Sequence, residues 1–252
     1  MFSNKVVVVV GASTGIGAAT AQSFAKERAS LAIVARNVDK LNEVAGTCKK
    51  FGANVLIIKA DVSKEDEANT IVKQTIEKYG KIDVLVNNAG ISRHAAITDS
   101  SVMKIYDEVM NTNLRPIVHI THLAAPYLIE TKGNIVNVSS VAGIKALAKG
   151  ISAYQVSKAG LDHFTRSAAL ELAPFGVRVN SINPGPVITN IMASANFPKE
   201  TVEAFSDLET LTALGRISEA EEMADLILYM ASDKAKCVTG SCYVADNGTL
   251  LK

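Results

Sequence analysis

Two side chains of this sequence are spaced for proton transfer. Tyr154 and Lys158 lie four residues apart in a stretch of helical character, which places both on one face of a helix, one turn apart. A phenol with an ordinary pKa of about 10 is a poor acid or base at neutral pH, and a nearby ammonium favours the phenolate and lowers that pKa. The pair predicts a tuned proton donor or acceptor, although an isolated Tyr/Lys pair is more often surface packing.

Polar residues near an apolar run at residues 135–138 extend this candidate site. Ser139 and Ser140 follow that run directly, where a hydroxyl can donate a hydrogen bond to a substrate oxygen that gains charge. Asn113 stands at the predicted start of a long apolar helix, where a buried amide would hold a water or the helix backbone. These positions are therefore candidates for contacts with a substrate or with the backbone around it.

A glycine-rich loop follows the first apolar run and predicts a phosphate site. Gly11, Gly15 and Gly17 allow a tight turn and the close approach of a pyrophosphate. The helix that follows points free N–H groups and its positive end at that phosphate. The loop lacks the Gly-Lys-Ser/Thr sequence of a kinase-type phosphate loop. The alternative is a turn that only packs a helix on a strand.

Residues after the next three apolar runs favour a dinucleotide. Arg36 stands about 20 residues past the loop, where NAD enzymes place an acidic residue and where an arginine can accept a 2′-phosphate. Asp61 follows the third run, and Asn87-Asn88-Ala89-Gly90 follows the fourth. Such a carboxylate or amide reads an adenine edge or holds the neighbouring loop, and a solvated surface role for Arg36 also stays open.

All these candidates follow short apolar runs that alternate with amphipathic stretches. Runs that are apolar on both faces are typical of parallel strands covered by helices, and they occur at 6–10, 31–35, 55–58, 84–86, 135–138 and 177–182. Between the second and third runs, Asn37 is placed as the N-cap of a helix. The alternation predicts an α/β fold, a single-domain doubly wound parallel sheet of Rossmann type spanning residues 1–252. Ligands of such sheets bind beyond the carboxyl ends of the strands.

Composition excludes several other classes of protein. The 26 basic and 25 acidic residues give a net charge of +1, without the basic excess of a nucleic-acid binder. The three cysteines form no CxxC pair and no Cys/His cluster, so we expect no metal site, no disulfide scaffold and a reducing compartment. No run approaches the ~20 apolar residues of a membrane span, and the first apolar run is too short for a signal peptide, so we expect none. We expect a cytoplasmic location.

Taken in order, the motifs resemble those of the short-chain dehydrogenase/reductase family, in the single-domain branch of 3-oxoacyl-reductase-like and hydroxysteroid-dehydrogenase-like members. The resemblance covers essentially the whole chain, and it rests on Gly11-x-x-x-Gly15-x-Gly17, Asp61, Asn87-Asn88-Ala89-Gly90, Asn113, Ser140, Tyr154-x-x-x-Lys158 and Asn183-Pro184-Gly185 with Thr189. It implies a catalytic tetrad of Asn113, Ser140, Tyr154 and Lys158. Ser140 is chosen over Ser139 because Ser-Val-Ala-Gly matches the family's run.

The resemblance also implies a nicotinamide cofactor and a reaction. The expected cofactor contacts are Gly11, Ser13, Thr14, Gly15, Ile16, Gly17, Arg36, Asp61, Val62, Asn88, Ala89, Gly90, Tyr154, Lys158, Pro184, Gly185, Val187 and Thr189. Hydride would pass between the nicotinamide and a carbonyl or secondary alcohol carbon, while Tyr154 exchanges a proton with the oxygen. Ser140 would hydrogen-bond that oxygen, and Lys158 would lower the pKa of Tyr154 and hold the ribose. Asn113 would position a water that relays protons to Lys158.

Three departures from the family pattern remove no chemical group. Val10 replaces a frequent threonine, and Ser140 lies 14 residues before Tyr154, which is one residue more than is usual. Near the C-terminus, Val244-Ala245-Asp246-Asn247-Gly248 replaces Val-Asp-Gly-Gly. At the end of the second run, Ala35 stands where NAD enzymes of the family carry a carboxylate, and Arg36 follows it. This pattern, with help from Ser13, predicts NADP(H) in preference to NAD(H).

Further expectations concern the lid, the assembly and competing functions. A substrate lid is expected at 188–212, and its apolar residues suggest an apolar substrate or a small helix packing its own core: Met192, Phe197, Val202, Phe205 and Leu208. Apolar stripes on helices at 113–130 and 152–172 predict a homotetramer, with a homodimer as the alternative: Ile117, Ile120, Leu123, Ala124, Leu161, Phe164, Ala168 and Leu172. Competing functions are a non-catalytic nucleotide sensor or scaffold, and an epimerase or dehydratase of nucleotide sugars, for which the chain is short.

Overall fold

Seven parallel strands form one sheet in the structure, a computed structural model that describes residues 1–189, residue 191 and residues 208–252. The strands are β1 (Val6–Val10), β2 (Ser30–Ala35), β3 (Val55–Lys59), β4 (Val84–Asn87), β5 (Asn134–Val138), β6 (Arg178–Pro184) and β7 (Cys242–Ala245). Their order across the sheet is β3-β2-β1-β4-β5-β6-β7. The order in which strands are added to the sheet therefore reverses between β1 and β4, which is where such folds open a ligand crevice.

Helices cover both faces of this sheet. They are α1 (Gly15–Lys26), α2 (Val38–Lys50), α3 (Glu65–Tyr79), α4 (Val102–Asn113), α5 (Arg115–Thr131), α6 (Ser152–Leu172) and α7 (Ala220–Ala231). Short 3-10 helices lie at Val141–Gly143, Ala173–Phe175, Leu208–Leu211, Asp233–Ala235 and Thr249–Leu251. Within the described ranges, no helix has the length and apolar content needed to cross a membrane.

The core has two layers, one on each face of the sheet. On β1, Val7 and Val9 pack into the layer beneath α1, α2 and α7, while Val8 and Val10 pack into the layer beneath α3, α5 and α6. This alternation explains why β1 is apolar at every position, because both of its faces are buried. The predicted doubly wound Rossmann-type sheet is confirmed.

The structure corrects two details of the sequence-based prediction. The edge strand β7 was missed because it is short and only partly buried, so it carries no continuous apolar signal. The helix predicted at 113–130 is present as α5 (Arg115–Thr131), but its start is corrected, because Asn113 is the last residue of α4. Pro116 explains the break, since a proline suits the first turn of a new helix but lacks the N–H that a continuing helix requires.

Candidate active site

The glycine loop after β1 is fixed by close backbone packing. The N–H groups of Gly11 and Ala12 donate to the Val34 carbonyl on β2 at 2.8 and 3.0 Å. Gly11 has φ +83°, and a Cβ there would lie 2.7 Å from the Ala89 backbone. A Cβ on Gly17 would overlap the Gly11 carbonyl oxygen. The loop thus exposes bare backbone at the N-terminus of α1, a geometry suited to a phosphate.

Asn88 resolves one of the alternatives left open by the sequence. Its Nδ2 donates to the Gly11 carbonyl at 2.8 Å, so the amide at the end of β4 braces the glycine loop. The neighbouring Asn87 points into the core instead, where its Nδ2 donates to Asn137 Oδ1 at 2.9 Å. One amide of the Asn-Asn pair therefore shapes the site, and the other ties β4 to β5.

A cavity of about 580 Å³ runs along the carboxyl ends of the strands, from the glycine loop to Tyr154. The predicted site residues that line it are Gly11, Ser13, Thr14, Gly15, Ile16, Arg36, Asp61, Val62, Asn88, Ala89, Gly90, Ser140, Tyr154, Lys158, Pro184, Gly185, Val187 and Thr189. The other two predicted residues, Gly17 and Asn113, do not line it and are buried. The structure thus brings residues from six strand ends and from α6 around one space.

Tyr154 and Lys158 lie one turn apart on α6, as their spacing predicts. The Lys158 side chain is 3% exposed, and its Nζ donates to the Val138 carbonyl at 2.8 Å. That Nζ lies 5.6 Å from the centroid of the Tyr154 ring. Burial lowers the pKa of Lys158 to about 8, against the opposing charge of Asp162. This site therefore holds an ammonium that titrates close to neutral pH.

The expected lowering of the Tyr154 pKa is not what the structure shows. Burial raises the pKa of Tyr154 above its ordinary value, and a hydrogen bond with the Ser140 hydroxyl only partly opposes that rise. The physical reason is that burial disfavours the charged form of both neighbours, the phenolate as well as the ammonium. Lys158 also directs its Nζ to the Val138 carbonyl. In this arrangement, Tyr154 is a protonated phenol ready to donate.

The two serines after β5 face different surroundings. Ser139 is buried, and its Oγ donates to the Lys158 carbonyl at 3.2 Å, which fastens β5 to α6. Both serines line the cavity, but Ser140 is less buried, its Oγ accepts the Ala142 N–H at 3.1 Å, and it hydrogen-bonds Tyr154. The geometry therefore places Ser140, rather than Ser139, beside the phenol.

Asn113 is a brace at the back of the site. Its Oδ1 accepts the Ile91 N–H at 2.8 Å, and its Nδ2 donates to the Ile91 carbonyl at 2.8 Å and to Ser157 Oγ at 3.1 Å. Both amide hydrogens are thus committed to protein partners. The side chain joins the loop after β4 to α6, and the expected positioning of a water by Asn113 stays a prediction.

The far end of the cavity carries the groups expected to select the cofactor. Arg36 is 70% exposed, and its Nη1 lies 3.9 Å from Asp61 Oδ2. Burial would raise the pKa of Asp61, but hydrogen bonds from Ser63 and the charge of Arg36 lower it overall. An exposed pair at this distance holds the arginine only weakly. Lys40, in the first turn of α2, lines the same end and was missed, although a lysine just after the Asn37 cap was a visible signal.

The stretch from Asn183 to Thr189 lies across the cavity from the glycine loop. A Cβ on Gly185 would lie 2.8 Å from Asp246, so this glycine is needed for close packing against the end of β7. A Cβ on Gly15 would lie 3.0 Å from Thr189 Cγ2, which shows how near the two segments run. Most of the predicted lid, residues 190 and 192–207, including Met192, Phe197, Val202 and Phe205, lies outside the described residues.

The end of the cavity beside Tyr154 is largely apolar and was not resolved by sequence reasoning. Its apolar lining comprises Ile91, Val141, Ala142, Leu147, Ala148, Ile151 and Ile191. Arg93 also lines it and pairs with Glu108 at 2.9 Å. Gln155, next to Tyr154 on α6, donates from Nε2 to the Ala148 carbonyl at 3.1 Å and so ties the loop after β5 to α6. No group of three or more metal-ligating side chains occurs in the described part of the chain.

Comparisons with known proteins place this geometry among oxidoreductases. A family model described as enoyl-(acyl carrier protein) reductase matches residues 11–249. The chain is 38% identical over 253 residues to the 3-oxoacyl-(acyl-carrier-protein) reductase FabG of Thermotoga maritima, covering 98% of each chain. It is 31% identical over 252 residues to the cyclohexanol dehydrogenase of Acinetobacter sp. (strain SE19), covering 100% of this chain and 97% of the relative.

A solved structure shows the same architecture. It is a short-chain dehydrogenase/reductase of unknown function from Caenorhabditis elegans with cofactor, and it matches with a TM-score of 0.91 at 36% identity. The match covers 99% of this chain and 96% of that one. The likeness therefore extends over the whole described fold, including the strand ends that form the cavity.

Proposed function

Because this chain belongs to the short-chain dehydrogenase/reductase family, we propose that it is an NADP(H)-dependent oxidoreductase that interconverts a carbonyl group and a secondary alcohol. The observation that carries the proposal is the cavity, which joins the glycine loop to Tyr154, Ser140 and Lys158 in one space. The relatives named above are a 3-oxoacyl reductase and a cyclohexanol dehydrogenase, so both directions of this chemistry occur among similar proteins.

The residues present fit a dinucleotide. Neither Gly11 nor Gly17 has room for a side chain, and the resulting bare backbone at the start of α1 suits a pyrophosphate. Ala89 and Gly90 contribute only small groups to the lining, and one cavity is lined by residues from Arg36 to Lys158. When bound, the nicotinamide cofactor would supply or accept the hydride.

The chain's own side chains supply the proton and the orientation. In reduction, Tyr154 donates its proton to the carbonyl oxygen, a role that suits its raised pKa. Ser140 donates a hydrogen bond to the same oxygen as negative charge develops there. Lys158 keeps a positive charge beside the phenol, and Asn113 keeps the loop after β4 in place against α6. The apolar lining beside Tyr154 favours an apolar carbonyl or alcohol substrate.

The preference for NADP(H) rests on the end of β2. Ala35 provides no carboxylate that would repel a 2′-phosphate, and the weakly held Arg36 can turn to such a phosphate. Lys40 lines the same end of the cavity and adds a second cation. A charge-assisted hydrogen bond is worth ~1.5–3 kcal/mol, or roughly 10- to 150-fold in affinity. We expect kcat/KM for NADPH to exceed kcat/KM for NADH by at least roughly 10-fold.

The reaction is tested by following NADPH absorbance with a panel of 3-oxoacyl thioesters, cyclic ketones and steroid ketones. Wild-type protein should oxidise NADPH with at least one of them, and Tyr154→Phe should lower turnover by at least ~100-fold, as expected for loss of a general acid. Tyr229→Phe is the control, because Tyr229 is 41% exposed on α7 and does not line the cavity. Near-normal turnover of Tyr154→Phe would refute the assignment, and an inactive wild type would favour a nucleotide-binding protein without catalysis.

The cofactor preference is tested by exchanging the end of β2. The double variant Ala35→Asp, Arg36→Leu should prefer NADH, because it gains the carboxylate and loses the cation. Arg115→Leu serves as a control, since that arginine is exposed on α5 and pairs with Glu65 away from the cavity. Equal use of NADH and NADPH by the wild type at matched subsaturating concentrations would remove the role assigned to Arg36.

Most of the apolar residues on α5 and α6 that predicted a homotetramer cannot form its interface. Ile117, Ile120, Ala124, Leu161 and Ala168, five of the stripe residues, are buried within the chain's own core, so they cannot face a partner. The exposed apolar side chains on the same helices are Val118, Val156 and Leu170. We retain a homotetramer, with a homodimer as the alternative, and light scattering at the mass of one 26.7 kDa chain would refute both.

The three free cysteines fit the proposed cytoplasmic location.

A further inference from the structure

Asp162 is a buried carboxylate that the proposed mechanism leaves unused. It lies on α6, one helical turn beyond Lys158, and its side chain is 4% exposed. A buried carboxylate is costly unless hydrogen bonds and a nearby opposite charge compensate for its lost hydration. The contacts of Asp162 therefore indicate what this charge does.

Neutral donors hold both oxygens of the carboxylate. Asn183 Nδ2 donates to Oδ2 at 2.7 Å, and Ser181 Oγ donates to Oδ1 at 3.2 Å. The same Asn183 Nδ2 also lies 3.2 Å from the Ser140 carbonyl oxygen. Asp162 is thus linked through one amide to the backbone of the serine that contacts Tyr154.

The charges around Asp162 point to Lys158. Its ionisable neighbours are Lys158 and Arg166 on α6 and Cys242 on β7, whose Sγ lies 3.1 Å from Arg166 Nη1. In the described ranges, no cation approaches the carboxylate within 4.0 Å, so it is not consumed in a direct ion pair. Arg166 faces solvent, whereas Lys158 is as deeply buried as Asp162 itself. Low local dielectric strengthens the attraction between the two buried charges.

We propose that Asp162 is a positioning residue for the reaction, serving as the counter-ion of Lys158 and as the anchor of the strand end that carries Ser140. The proposal rests on the proposed function for its catalytic meaning. A purely structural anchor would not require a charge, because an asparagine at this position can still accept the hydrogen bond from Asn183. The negative charge is what separates the two roles, and it can be removed alone.

The test compares Asp162→Asn with Ser181→Ala, which removes a hydrogen-bond partner of Asp162 but leaves its charge. Two quantities are measured over a pH series: kcat/KM for carbonyl reduction, and trace acetylation of Lys158 by acetic anhydride, quantified by peptide mass spectrometry. In Asp162→Asn, the basic limb of kcat/KM and the labelling midpoint should both move to lower pH, by about one pH unit or more, because an opposite charge is lost. Ser181→Ala should leave both midpoints in place, and Asp162→Glu should restore them.

Each outcome bears on the proposal. Unmoved midpoints in a folded Asp162→Asn protein would overturn it. If the wild type is inactive but the labelling midpoint of Lys158 shifts in Asp162→Asn, the proposed function is refuted while the counter-ion role of Asp162 is supported. A second neutral variant, Asp162→Ser, covers poor folding of the first.

Discussion

Replacing Lys158 by methionine should remove activity while relieving the fold of a buried charge. The ammonium is 3% exposed, and its hydrogen-bond partner is the Val138 carbonyl. Methionine keeps the length and apolar character of the lysine stem. At pH 7, function and stability are therefore expected to respond in opposite directions, which a residue retained only for packing would not produce.

The magnitude follows from proton binding. The pKa of Lys158 falls from 10.5 to about 8 on folding. The unfolded chain therefore binds more protons between these values, and stability rises with pH across that window. At about 1.4 kcal/mol per pH unit, the charge costs the fold about 3 kcal/mol at pH 7 and about 1 kcal/mol at pH 10. Leaving the Val138 carbonyl without a donor costs about 1–3 kcal/mol at either pH.

The cost of the buried charge is isolated by urea unfolding of wild type and Lys158→Met at pH 7 and at pH 10. The cost of the lost hydrogen bond is the same at both pH values, so it cancels in the difference between them. The variant's stability relative to wild type should be about 2 kcal/mol more favourable at pH 7 than at pH 10. Lys104→Met is the matched control, since Lys104 is exposed on α4, and its relative stability should differ little between the two. An equal relative stability of Lys158→Met at both pH values would show that the ammonium is not desolvated as described.

Three further changes have expected outcomes. Asn88→Ala removes the brace on the Gly11 carbonyl, so NADPH affinity measured by fluorescence titration should fall roughly 5- to 30-fold at unchanged folding, and full affinity would contradict the bracing role. Gln155→Leu frees the Ala148 carbonyl, so the KM for the carbonyl substrate should rise several-fold while NADPH affinity stays constant; the reverse split would place Gln155 at the cofactor. Burial would raise the pKa of Asp83, but a backbone N–H and two lysines lower it overall. Its stabilisation is present above about pH 4 and lost as pH falls, so Asp83→Asn should cost ~2–3 kcal/mol at neutral pH and less in acid, which acid unfolding curves would check.

Features set by local chemistry were predictable from the sequence. The strand runs are apolar on both faces because both are covered, and the Asn37 cap follows from one side chain accepting the Lys40 N–H three residues on. Parallel strands end at one edge of the sheet, so the polar residues after β1 to β6 had to converge once the strands were recognised.

Features that depend on distant neighbours were not predictable in the same way. Gln155 acts through the loop after β5, which only the folded chain brings beside α6. The direction of the Tyr154 pKa was mispredicted because the sequence shows the neighbouring ammonium but not that the fold buries Lys158 and half-buries Tyr154. Burial is a property of the whole fold, and here it outweighs the local pair.

The break between α4 and α5 shows how one local feature serves the site. Because Pro116 begins a new helix, α4 ends at Asn113 with this residue fully buried. Its amide then bridges Ile91 and Ser157, and Ser157 Oγ donates in turn to the Tyr154 carbonyl at 2.7 Å. In a continuous helix, Asn113 would lie in the helix interior, and the helical repeat would set the direction of its side chain. The helix would then not end beside the loop after β4. The helix break, and not the amide alone, is therefore what connects the end of β4 to the helix that carries Tyr154.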